Sequence, residues 1–355
     1  MTLNLPVGLP GLRARAFFMH WTELTRQHYG AIMWRRVKQF AVLVVVLAVL
    51  VPLAFRGTAM LRETSDLSAV VPAHGTLIQT ASGAIFVQEA GPPDGPILLF
   101  AHGTAAWSEL WRPMMDAMAE QGYRAIGFDM PPFGFSDHFA DGIYTRETLA
   151  QVILDLIDAM QIKPILVAHS FGAGPGVEAV MIDQSKFAGL VVVAGAIGLD
   201  SHLDPKKLPR PIRPAVLREI AVAATMNNPL LTRRLLAGLI HVKSAATPAR
   251  ARFLALPFQR NNTTTAYAAW LPVLLSTQES ALSVRPENYA ALTLPVAYIW
   301  GDQDTVTPIQ QGNALAQITP GASMHSLMDV GHIPHIEAAD AFNRTLSQAV
   351  LGFAN

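Results

Sequence analysis

A serine hydroxyl is a weak nucleophile until a neighbouring base takes its proton. Ser170 lies in VAHSFGAG (residues 167–174), at the end of the apolar run PILVAH, with Ala168 two residues before it and Gly172 two residues after. Small residues at both positions fit a sharp strand-to-helix turn, where larger Cβ substituents would clash. Such a turn lifts the hydroxyl above the end of a sheet. The competing reading is a helix N-cap without chemistry, which explains neither the small flanks nor the partners downstream. Among eleven histidines, His332 in DVGHIPHIE (329–337) is the leading candidate base, because it stands on a loop between the last strand and the closing helix. His335, three residues on, competes with it, although its position suits the start of a helix and packing. The base needs a carboxylate to hold its tautomer and stabilise the imidazolium. Asp304 and Asp302 share the stretch WGDQDTVTP (300–308) and both qualify. Asp304 is preferred, and the chain order becomes serine, aspartate, histidine.

The elements that must position these groups are legible as an alternation. TLIQT and AIFVQEA read as an antiparallel pair around Ala81-Ser82-Gly83, followed by the strand PILLFA (96–101) and an amphipathic helix, WSELWRPMMDAMAEQG, ending at Gly122. YRAIGFD, PILVAHS, LVVVAG (190–195) and PVAYIW (295–300) read as further strands, and ASMHSLMDV holds a last short one. A helix over 145–160 opens on Thr145 with Thr148 three residues on, another starts near 172, a third covers 308–317, and IEAADAFNRTLSQAVLGF closes the chain. Alternation of this kind predicts a doubly wound, mostly parallel sheet. Residues 196–293 interrupt it with helices near 214–226, 230–242, 248–257 and 264–277, an insertion suited to cap the sheet's C-terminal edge.

Residues 40–55, FAVLVVVLAVLVPLAF, carry no charge over sixteen positions. A membrane-spanning helix needs about 20 apolar residues, and Gly57 to Leu61 extend the run if Arg56 snorkels. A buried core helix would show a polar face, and a cleaved signal peptide would follow a shorter leader and end at a small-residue site. A retained anchor over 39–59 is therefore expected. Arg13, Arg15, Arg26, Arg35, Arg36 and Lys38 precede it against Glu23 alone, which keeps the N-terminus cytoplasmic and the remainder outside the cytoplasm. The expected divisions are a basic segment 1–38, the anchor 39–59, a linker 60–74, a first core part 75–195, a helical cap 196–293 and a second core part 294–355.

The net charge is zero, yet residues 1–62 hold eight Lys/Arg against one acid and residues 196–293 hold twelve against five. An acidic body with two basic segments suits an orientation against an anionic surface, or merely solvates its own faces. In PLLTRRLLAGLI (229–240), Arg233 and Arg234 interrupt a leucine-rich face. One reading is a cap that admits an apolar acyl chain beside anionic headgroups; the other is a cap over a small soluble ester. The chain has no cysteine, which excludes disulfides and thiolate chemistry.

Four motifs, AHGTAAW, GFDMPPFGFSD, VAHSFGAG and WGDQDTVTP with DVGHIPHIE, resemble in order and spacing those of the α/β-hydrolase superfamily, specifically its capped serine hydrolases. The resemblance covers about residues 75–355. It implies an α/β-hydrolase fold with an all-helical cap between strands 6 and 7. It also implies Ser170 as nucleophile, Asp304 as acid and His332 as base, with the backbone N–H groups of Thr104 and Phe171 as the oxyanion hole. Cleavage of carboxylic esters through an acyl-enzyme, esterase- or lipase-like, is then expected, on a small-molecule or lipid ester. Neither cofactor nor metal nor nucleic acid is implied. The same residues serve C–C bond hydrolysis, acyl transfer or perhydrolysis, and a non-catalytic ligand receptor could keep the scaffold. A serine rather than an aspartate at the turn argues against epoxide hydrolase chemistry. Ala168 stands where glycine is commoner, and Pro132 replaces the glycine of the family's P-G-x-G-x-S turn. His102 and His169 are expected to shape loops by hydrogen bonding, and Trp107, Trp111 and Phe133 to line a pocket or simply pack.

Overall fold

The computed structural model describes the backbone of residues 10–353, with side chains at Met19, Trp21 and from Ile32 onward. The chain divides into two compact units, Met1–Ala54 and Phe55–Asn355. Helix α1 (Pro10–Arg62) forms the first and its last turns enter the second. Within Ile32–Arg62 an 18-residue portion has a mean hydropathy of 2.5 and none of it is buried, so the stretch is long and apolar enough by composition to cross a membrane. The side chains of Arg13, Arg15 and Arg26, on which the expected orientation partly rests, lie outside the described residues.

In the second unit, the short α2 (Leu67–Val70) precedes an eight-stranded sheet: β1 (Thr76–Thr80), β2 (Gly83–Ala90), β3 (Ile97–Ala101), β4 (Arg124–Phe128), β5 (Ile165–His169), β6 (Gly189–Val193), β7 (Val296–Gly301) and β8 (Ser323–Leu327). The spatial order is β1-β2-β4-β3-β5-β6-β7-β8. The pairs β1–β2 and β2–β4 are antiparallel and every other pair is parallel. Strands β5, β6 and β7 are buried at every residue, whereas β1 at the edge is half exposed. A parallel sheet covered on both faces needs such continuous apolar strands.

Alternate residues feed two cores. Leu99, Leu166, Leu190 and Val192 join α4 (Arg146–Met160) and α5 (Ala173–Ile182) on one face. Phe100, Val167, Val191 and Val193 join α3 (Arg112–Ala119) and the closing helix on the other. Helix α4 starts as expected, with Thr145 Oγ1 accepting from Thr148 N at 3.1 Å. Two long helices read from the sequence are instead divided. The segment opening at Ser108 is a 3-10 turn up to Trp111 and becomes α3 only at Arg112, because Pro113 has no N–H to bond the preceding turn. The closing segment breaks at Ala338 (φ −142°) into α11 (Pro334–Glu337) and α12 (Ala339–Gly352).

Between β6 and β7 lie α6 (Ala215–Ala224), α7 (Thr232–Leu239), α8 (Pro248–Leu254) and α9 (Thr263–Leu275), and α10 (Ile309–Ile318) follows β7. Polar side chains fasten this helical segment to the sheet. The buried Glu178 on α5 accepts from Leu282 N at 2.7 Å and Ser283 N at 2.8 Å, Trp107 Nε1 donates to Phe253 O at 2.9 Å, and Arg260 Nη1 donates to Gly134 O at 2.5 Å. Residues 60–74, read from the sequence as linker, are tied to the same segment. Arg62 donates to Asn227 O at 2.7 Å and Phe258 O at 3.1 Å, and Glu63 accepts from Asn227 Nδ2 at 2.7 Å and Thr264 N at 3.1 Å.

Candidate active site

Ser170 follows the last residue of β5 with φ at +51°, a left-handed backbone that a non-glycine residue adopts only under strain. The turn is as tight as the small flanks imply. A Cβ on Gly172 would stand 2.5 Å from His102 O, and one on Gly176 would stand 2.9 Å from the Ala168 Cβ. The loop after β3 presses on the same turn: a Cβ on Gly103 would meet Ser170 Cβ at 3.1 Å. Thr104 on that loop lines a cavity, and Phe171 is almost fully buried.

Loops after β7 and β8 bring the partners. Ser170 Oγ lies 2.7 Å from His332 Nε2, and His332 Nδ1 lies 2.9 Å from Asp304 Oδ2. All three are at most 7% exposed. Asp304 Oδ1 accepts from Val306 N at 2.8 Å and Thr307 N at 2.9 Å. Burial pushes the Asp304 carboxyl up, but the hydrogen bonds from His332 and Thr307 outweigh it and hold the group below its ordinary value. A fixed carboxylate therefore faces Nδ1, which carries the proton and leaves Nε2 free to accept from the serine.

The two alternatives lie elsewhere. Asp302 bonds only loop backbone, accepting from Val330 N at 3.4 Å. His335 is buried and stacked on Trp111 with ring centroids 3.8 Å apart, and neither of its nitrogens has a hydrogen-bond partner among the described residues. The other two histidines shape loops. His102 Nε2 accepts from Met130 N at 2.9 Å while Nδ1 donates to Gly103 O at 2.8 Å; burial lowers its pKa to about 4. His169 Nε2 donates to His332 O at 2.9 Å, and burial followed by the neighbouring His332 lowers it to about 3. Both are neutral at pH 7, so they orient the site without adding charge to it. Trp107, Trp111 and Phe133 pack: each is at most 1% exposed and none lines the cavity.

Sequence reasoning missed Thr307. Its buried hydroxyl lies 2.8 Å from Asp304 Oδ2, 3.0 Å from Ala194 O and 3.2 Å from His332 Nδ1. The available signal was a threonine three residues after the acid, the spacing at which a side chain folds back on a turn. Also unforeseen is a cavity of about 220 Å3 between Thr104, Ala105 and Ile333 on one side and Leu235, Leu239 and Phe258 on the other. Among the described residues, no charged side chain lines it.

The family described as the alpha/beta hydrolase fold matches residues 96–339, and the chain belongs to it. Over 259 residues it is 22% identical to an uncharacterized hydrolase of Bacillus subtilis, covering 70% of this chain and 88% of that one. Over 288 residues it is 27% identical to a 2-hydroxy-6-oxononadienedioate/2-hydroxy-6-oxononatrienedioate hydrolase of a Pseudomonas species, covering 77% and 92%. The solved structure of a membrane phospholipase A described as a bacterial virulence factor aligns with a TM-score of 0.63 at 17% identity, over 93% of this chain and 99% of that one. That likeness is one of fold. The chain is a hydrolase by family.

Proposed function

We propose that the protein is a serine hydrolase of carboxylic esters that works through an acyl-enzyme. The observation that carries this reading is the Ser170–His332–Asp304 relay, at 2.7 and 2.9 Å, beside an uncharged cavity. Ser170 Oγ attacks the ester carbonyl while its proton passes to His332 Nε2. Asp304 stabilises the imidazolium. The tetrahedral oxyanion is held by the N–H groups of Thr104 and Phe171, a contribution of about 3–4 kcal/mol per donor in enzymes of this type. His332 then protonates the leaving alcohol. Water, deprotonated by the same imidazole, attacks the acyl carbon and regenerates Ser170.

The C–C hydrolase reading follows the name of the Pseudomonas relative, whose substrates are dioates. A dianion needs cationic partners in a dry pocket. The cavity here offers none, and at about 220 Å3 it is smaller than the roughly 300–1,000 Å3 of drug-sized ligand sites. A short or medium apolar acyl chain suits it better. We also read residues 39–59 as a retained anchor, which the exposed apolar helix supports, and place the N-terminus in the cytoplasm and the hydrolase outside from the cations ahead of the span. p-Nitrophenyl esters of graded chain length, run beside a fluorophosphonate probe, test the activity. Ester turnover with probe labelling at Ser170 is expected, and neither in folded protein overturns the reading. Protease added to spheroplasts should digest the hydrolase; protection until lysis overturns the orientation.

A further inference from the structure

Glu337 is the last residue of α11, outside the relay, yet its carboxylate accepts four backbone N–H groups. Oε2 takes those of His241 at 2.7 Å, Val242 at 2.9 Å and Gly331 at 3.0 Å, and Oε1 takes that of Ile333 at 2.9 Å. The bond to Ile333 has a local explanation, since Ile333 is the N-cap of α11 and an acidic side chain reaching back to it closes a short helix. The other three do not. Gly331 and Ile333 flank His332, while His241 and Val242 belong to the exit of α7, far away in the chain.

The junction is close as well as bonded. A Cβ on Gly331 would stand 2.4 Å from His241 N and 2.9 Å from Glu337 Oε2, so only glycine lets the two loops meet. Both elements joined there line the cavity. Leu235, Leu236 and Leu239 of α7 line the cavity, and so does Ile333.

We infer that Glu337 is a positioning residue that sets the base loop and the α7 wall of the acyl cavity in one register. A carboxylate turns an accepting oxygen to each side of the junction, whereas a neutral amide of the same size keeps one accepting oxygen and must turn its NH2 towards at least one of the four N–H groups. Displacement of His332 by a fraction of an ångström is enough to damage proton transfer. The inference rests on the proposed hydrolysis for its kinetic consequence, and on the hydrogen bonds alone for its mechanical one.

Two variants test it, each read by ester turnover per fluorophosphonate-titrated site and by amide hydrogen exchange. In Glu337→Gln, kcat for p-nitrophenyl acetate per titrated site is expected to fall about 10- to 100-fold. Exchange at 241–242 and at 331–333 should quicken about tenfold. Val242→Pro removes one donor from the α7 side only, at a residue whose φ of −79° suits proline. Coupling predicts that exchange at Gly331 and Ile333 quickens in this variant too, although neither residue is near the substitution in the chain. Unchanged exchange at 331–333 in Val242→Pro, or a folded Glu337→Gln with kcat per site within about twofold of wild type, overturns the inference. If one variant does not fold, the other decides by its own criterion. A wild type that hydrolyses no ester refutes the proposed function and leaves the exchange criterion standing.

Discussion

The sheet edge and the helical segment above it are held by different chemistry. At the edge, position comes from backbone: strand ends in the left-handed region at Ser170 (φ +51°) and Ala194 (φ +45°), with buried imidazoles packed behind them. The helical segment is fastened by a few ionisable side chains: Glu63, Glu178 and Glu337 accept its N–H groups, while Arg62 donates to its carbonyls and its own Arg260 to a core carbonyl. An edge made of backbone fails only as a whole. A segment held by single carboxylates can be loosened one corner at a time.

The largest expected effect breaks the edge chemically and leaves it folded. Ser170→Ala should abolish turnover and probe labelling with thermal stability nearly unchanged. Asp304→Asn should cost about 10^4 in kcat, because the amide favours the wrong imidazole tautomer. Asp302→Asn should cost little, and the reverse ranking would move the acid role to Asp302. Thr307→Val, which removes one donor from Asp304 Oδ2, should cost about tenfold and be rescued by Thr307→Ser.

Next is a stability difference. Glu178→Gln keeps one accepting oxygen, so one of the two N–H groups at 282–283 loses its partner, and it should cost about 1–3 kcal/mol by denaturant unfolding. Amide exchange should quicken first in the helical segment while β5 and β6 stay protected. Uniform loss across the sheet would mean that the two regions open together.

The buried imidazoles give the edge its own pH signature. Burial lowers His102 to about 4 and His169 to about 3, against an ordinary 6.5. The unfolded chain binds these protons first as pH falls, so stability should drop from about pH 6.5 downward. Asp129 opposes this weakly: burial raises it to about 6, and it loses stability as pH rises towards that value. His335→Phe removes two unpaired buried nitrogens and should stabilise by about 1–3 kcal/mol, with a larger gain at pH 5 than at pH 7. A variant as acid-sensitive as wild type would show that this histidine contributes nothing to the slope.

The smallest effect concerns the outer face of α7, where Arg233 and Arg234 are exposed. If the segment meets anionic lipid, vesicles should raise hydrolysis of medium-chain esters. Replacing both arginines by glutamine should blunt that rise about twofold without changing turnover of the acetate. Indifference to vesicles, with activity falling beyond butyrate, points to a small soluble ester.

The strands themselves and the turn at Ser170 were legible because their signals are local. Apolar runs bounded by Gly and Pro make strands, and a Cβ too many at Gly172 is a steric fact within a few residues of the serine. The choice of Asp304 over Asp302 was legible only as a preference, since both sit on one loop and the deciding contact is with His332. Thr307 and Glu337 stayed hidden for the same reason. Their partners include Ala194 O and His241 N, set by tertiary packing, and no periodicity announces a side chain that serves a distant backbone. The divided closing helix was missed because the break at Ala338 is a backbone choice that alanine itself does not favour.

The ties at Arg62 and Glu63 bear on where the chain can be cut. A soluble fragment starting at residue 75, just before the first strand, would discard Glu63 and Arg62. The Thr264 N–H would lose its acceptor and the Asn227 amide one of its two, and Asn227 O and Phe258 O would lose their donor. Phe258 lines the acyl cavity, so such a fragment would keep every relay residue and still have a slackened substrate wall. Starting at Phe55 keeps these bonds and the Arg56–Glu219 ion pair at 2.9 Å, while dropping most of the apolar helix.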